Sequence, residues 1–133
     1  VGFAAAVQQA MADRDERHRR LSGLRDQLWN GLNDQLPSIE RNGAAAPRLA
    51  HNLNITLPGV SGSRLHRSLR PHLACSSGSA CSNGAPSHVL QALGRSRADA
   101  EASLRLSLGR ATTENAVEQA IATIVEAVAA QQS

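Results

Sequence analysis

"LNITL", residues 53–57, alternates Leu53, Ile55 and Leu57 with Asn54 and Thr56. A period of two places the three apolar side chains on one face and the polar ones on the other, the pattern of a half-buried strand. "LRLSL", residues 104–108, repeats it, with Leu104, Leu106 and Leu108 on one face and Arg105 and Ser107 on the other. Two one-faced strands need helices to cover their apolar side.

The segments around the strands supply those helices. Residues 3–36 read as one long helix, with room for a bend, because Leu21, Leu24, Leu28, Leu32 and Leu36 recur at steps of three or four. Trp29 lies on the flank of that stripe, Gly23 and Gly31 weaken the helix, and Pro37 ends it. Residues 38–50 are turn-like, with a strand edge near "SIE". "GSRLHRSLR", residues 62–70, suits a short helix with Leu65 and Leu69 inward, stopped by Pro71. "HLAC" is a short run suited to a strand. Pro86 opens a helix over "PSHVLQALG" that stops at Gly94. A helical turn fits residues 97–102. The last helix carries the stripe Val117, Ala120, Ile121, Ile124, Val125 and Val128, with Glu114 in its first turn. The fold class is a small α/β (α+β) domain, a short sheet packed by long N-terminal and C-terminal helices.

Composition narrows the function. The chain has 133 residues, enough for one domain with a modest core. All 14 basic residues other than histidine are arginines, and net charge is only +3. The cluster Arg17, Arg19 and Arg20 alternates with acids and has no aromatic platform, so it reads as a solvated helix face rather than a nucleic-acid surface. No stretch is long and apolar enough to span a membrane, and the N-terminal residues turn charged too early for a signal peptide. Two cysteines, Cys75 and Cys81, make no disulfide framework and no paired metal-ligand spacing.

Cys81 lies in "SSGSACSNG", residues 76–84, where Ser, Gly and Ala surround a thiol that can serve no core. Such a segment reads as a mobile, solvent-facing loop, and its thiol as an accessible nucleophile or a chance surface cysteine. Cys75, with an apolar flank, reads as a small buried core residue. Arg105, between alternating leucines, must face away from the core. Its guanidinium there can grip a carboxylate with two parallel hydrogen bonds, or simply pair with a neighbouring acid. Arg110 follows Gly109 and suits a role in the turn. His88 stands just after the loop, where it could approach Cys81 or remain half-exposed. His51, His66 and His72 show no ligand spacing.

"SSGSAC", then "PSHVLQALG", then "SLRLSLGRATTE", with "LRDQLWNGL" at residues 24–32, resembles the C-terminal part of the group I cysteine desulfurases of the NifS/IscS type. The resemblance covers nearly all of this chain and about the last third of a complete family member. It implies the small domain of the fold type I aminotransferase class of pyridoxal-phosphate enzymes. It implies conversion of L-cysteine to L-alanine, with Cys81 taking the sulfur as a persulfide and Arg105 holding the substrate carboxylate. A long Ser/Gly loop would let the thiol collect sulfur and swing out to a sulfur-acceptor or iron–sulfur scaffold protein. The complete enzyme would be a cytoplasmic homodimer, with no nucleic acid or membrane as partner.

The family holds pyridoxal 5'-phosphate on a lysine, and this chain has none. No cofactor-binding residue and no metal ligand is therefore assigned here, and the chain alone is expected to be inactive. The non-Met start favours the C-terminal domain of a longer desulfurase over a short persulfide carrier. Rival readings are a selenocysteine or cystine lyase of the same fold and a stand-alone sulfur-relay module. Cys75 is an extra thiol, close enough in sequence to intercept the persulfide as a disulfide.

Overall fold

A computed structural model describes residues 1–76 and 86–132. The elements run α1 (Gly2–Ala12), α2 (Arg14–Gln35), β1 (Glu40–Arg41), β2 (Asn52–Thr56), α3 (Gly62–Leu69), α4 (His88–Ala92), α5 (Arg97–Glu101), β3 (Ser103–Ser107) and α6 (Glu114–Gln132).

The three strands form one antiparallel sheet in the order β1-β2-β3. Leu53 pairs with Leu106 and Ile55 with Leu104. Directly opposed residues of an antiparallel pair share a face, so these four side chains form one apolar surface, with exposures of 0–4%. They join a core completed by Leu21, Leu24, Leu28 and Leu32 of α2, Leu65 and Leu69 of α3, and Val117, Ile121, Ile124 and Val128 of α6. The alternation in both strands and the stripes on the helices thus meet as the sequence predicts.

Three local expectations need correction. The N-terminal helix is two helices, broken at Asp13. Arg17 turns back there to pair with Asp13 and donates to the Ala10 carbonyl at 2.9 Å, while Arg110 reaches Asp13 at 3.3 Å. Residues 72–75 form no strand; only Ser76 makes an isolated bridge. The helix after the loop starts at His88, capped by the Ser87 hydroxyl, so Pro86 stands outside it. Gly94 stops it as expected, at φ +87°, where a residue without Cβ is at ease.

Candidate functional site

The second face of the sheet is polar. Asn52 faces Ser107, Asn54 faces Arg105, and Thr56 faces Ser103. At one end this face is buried: Thr56 and Ser103 are 0% and 1% exposed, and Asn42 beside them 5%. Buried hydroxyls and amides need partners, and here they form a chain. Asn42 Nδ2 donates to Asn54 Oδ1 at 2.7 Å and to Thr56 Oγ1 at 2.9 Å. Ser103 Oγ donates to the Asp99 carbonyl at 2.7 Å. Thr56 Oγ1 donates to Asn42 Oδ1 at 3.1 Å, and the Thr56 and Ser103 hydroxyls lie 2.8 Å apart. Arg95 Nε closes the chain on Asn42 Oδ1 at 2.6 Å and also pairs with Glu40. The network ties β1, β2, β3 and the turn before α5 into one rigid floor.

Arg105 stands at the open end of that floor. It is exposed, and its guanidinium makes no hydrogen bond or ion pair with a described residue. Its backbone is held firmly. Arg105 N donates to the Ser76 carbonyl at 2.8 Å, and Ser76 N donates to the Arg105 carbonyl at 3.2 Å. The chain entering the Ser/Gly/Cys segment is therefore fixed at Arg105. Cys81 lies outside the described residues, but it follows Ser76 by five residues.

The turn after β3 is held from a distance. Arg20 donates to the Thr112, Arg110 and Gly109 carbonyls at 2.8, 2.9 and 3.3 Å. Arg110 thus serves the turn and the Asp13 junction. Arg20, read from sequence as part of a solvated face, clamps the connection between β3 and α6. His88 is exposed at the first position of α4.

Cys75, expected as a buried core residue, is instead half-buried and packs against the edge of the core, with a polar neighbour. Its Sγ lies 3.9 Å from His66 Nδ1 on α3. Burial pushes the thiol above its ordinary pKa. Burial also holds His66 below its ordinary value, opposed by the Ser103 backbone carbonyl. Sequence spacing missed His66, because its partner comes from beyond the end of its own helix.

The aminotransferase class-V family model matches residues 1–120. This chain belongs to that family. It is similar to the cysteine desulfurase IscS of Shewanella piezotolerans, 42% identical over 130 residues. It is also similar to that of Dechloromonas aromatica, 41% identical over 123 residues. These alignments take in 96% and 91% of this chain but 32% and 30% of the relatives. The chain thus spans about a third of the length of the curated relatives it matches. Among solved structures, a NifS-like protein superposes with a TM-score of 0.81 at 25% identity, over 96% of this chain and 32% of that one. The NifS-like protein from Rickettsia africae shares the fold at a TM-score of 0.82 and 23% identity, over 95% and 33% of the two chains.

A pyridoxal cofactor does not fit the residues present here as a covalently held group, because an amine is needed to hold it and the chain contains no lysine. No helix among the described residues is long and apolar enough to cross a membrane, and none of their His, Cys, Asp and Glu side chains group as a metal site.

Proposed function

We propose that this chain is the small C-terminal domain of a cysteine desulfurase, with Arg105 as the carboxylate-binding group and Cys81 as the sulfur-accepting thiol. The carrying observation is the two-way backbone bridge between Ser76 and Arg105. It anchors the thiol-bearing segment beside a guanidinium that no described residue occupies. A planar, permanently charged guanidinium suits an amino-acid carboxylate. L-cysteine held there would lie beside Ser76, which precedes Cys81 by five residues in the sequence. The sulfur passes to Cys81 as a persulfide and leaves L-alanine, and an acceptor protein then takes it from Cys81.

The pyridoxal cofactor, which would supply the electron sink for C–S cleavage, belongs to the part of the protein outside this chain. Helix α1 supports a larger assembly. It buries no residue and exposes Phe3 at 85% and Met11 at 71%, an apolar surface that fits a covering domain. The complete protein is proposed to be a cytoplasmic homodimer, and this chain alone to be inactive.

The test is cysteine turnover by the full-length protein carrying Cys81→Ser or Arg105→Ala. Cys81→Ser should abolish persulfide formation. Arg105→Ala should raise KM for L-cysteine at least tenfold. Full cysteine turnover without Cys81 would favour a thiol-independent lyase of the same fold. Sulfur uptake from a persulfide donor by a protein that binds no cofactor would favour a relay module.

A further inference from the structure

Beside the Ser76 anchor lies a cavity of about 430 Å³ lined by Ser63, His66 and Arg67 of α3, by Arg70 just past its end and by Cys75. We propose that this cavity is a second sulfur-acceptor site, in which Cys75 takes the terminal sulfur of a carboxylate-bearing persulfide and His66 takes the thiol proton.

Three features meet there. Cys75 Sγ and His66 Nδ1 are 3.9 Å apart, within range of a sulfur hydrogen bond, so nucleophile and base are already paired. Burial disfavours charge on both, so the pair rests as a neutral thiol beside a neutral imidazole. Arg67 and Arg70 are exposed and make no ion pair with a described residue, leaving two cations for a donor's carboxylates. His66 Nε2, which carries the proton when Nδ1 accepts, is buried, and the Ser103 backbone carbonyl acts on the same ring by favouring its protonated form.

The reaction balances without oxidant or reductant. The Cys75 proton moves to His66 as the sulfur attacks the terminal sulfur of R–S–SH. A Cys75–S–SH bond forms, the donor S–S bond breaks, and R–S⁻ takes the proton back from His66. Only the biological origin of the sulfur rests on the desulfurase proposal; the site itself does not.

The experiment therefore supplies the donor directly. Full-length protein carrying Cys81→Ser is exposed to glutathione persulfide, alkylated, digested and mapped by mass spectrometry. One added sulfur atom on Cys75 is expected. Adding His66→Gln should slow its appearance by tenfold or more, the lower end of proton-transfer contributions of about 10²–10⁴-fold being discounted for an added donor. The exposed pair Arg67→Gln with Arg70→Gln, which spares the core, should slow glutathione persulfide but not an uncharged alkyl persulfide. An unmodified Cys75 that alkylates only after unfolding would overturn the proposal, as would a rate indifferent to both sets of substitutions. Failure of L-cysteine to load Cys81 in the unsubstituted protein would count against the desulfurase proposal alone.

Discussion

Replacing Gly62 by Ala should dislodge helix α3. A Cβ on Gly62 would stand 1.8 Å from the Glu101 carbonyl oxygen, 2.6 Å from its carbon and 3.2 Å from Ala102 N. Carbon–oxygen contacts settle at about 3.3 Å, so the first turn of α3 and the end of α5 must part by roughly 1.5 Å. Both sides are backbone, and no side-chain rotation relieves the clash. Inserting one methyl into a packed site costs typically ~1–3 kcal/mol, and a backbone-on-backbone clash belongs at about 3 kcal/mol. Gly23→Ala is the matched control. It lies on the exposed side of α2 with nothing within 4 Å of its Cβ, so it should stabilise by ~0.5–1 kcal/mol. Urea unfolding followed by Trp29 fluorescence reads both variants, with the slope m unchanged. The two midpoints should move in opposite directions. A Gly62→Ala chain within about 0.5 kcal/mol of the parent would refute the close approach of α3 to α5, and with it the placement of the cavity wall.

The polar floor gives a second expectation: Thr56→Val keeps the shape but strands Asn42 and Ser103, costing about 1–3 kcal/mol in the same unfolding assay. Combined with Ser103→Ala, the loss should fall short of the sum, because the two hydroxyls share one hydrogen bond. Acid should also weaken the fold through His66. Its folded pKa is depressed below the ordinary 6.5, so its contribution is complete above that pH and is lost as pH falls through the folded value. His66→Gln should flatten that part of a stability–pH profile measured between pH 7 and 5. Cys75, with its thiol held above the ordinary value by burial, should alkylate with iodoacetamide more slowly than a free cysteine at pH 8 and accelerate as pH rises.

The strands and the core were legible because a period of two and a period of 3.6 need only local sequence. Leu53, Ile55, Leu104 and Leu106 fell on the buried face for that reason, and so did Leu65, Leu69 and the α6 stripe. Arg105 was legible as facing away from the core by the same alternation. What escaped depends on partners far apart in the chain. The break at Asp13 rests on Arg17 and on Arg110, which joins it from beyond β3. The Asn42–Thr56–Ser103 chain needs the strand register, which no single segment reveals. The pairing of Cys75 with His66 needs the chain to fold back after α3, and the Ser76 bridge needs β3 in place. Cys81 carries the strongest sequence signal for chemistry and lies outside the described residues.

The most direct measurement feeds L-cysteine carrying a sulfur isotope to the native full-length protein, traps thiols by alkylation, and fragments the peptide that spans both cysteines. Labelled sulfur on Cys81, with one equivalent of alanine released, is the predicted result. Alanine release with no sulfur on Cys81 at any time would contradict the assignment of Cys81 as the accepting thiol.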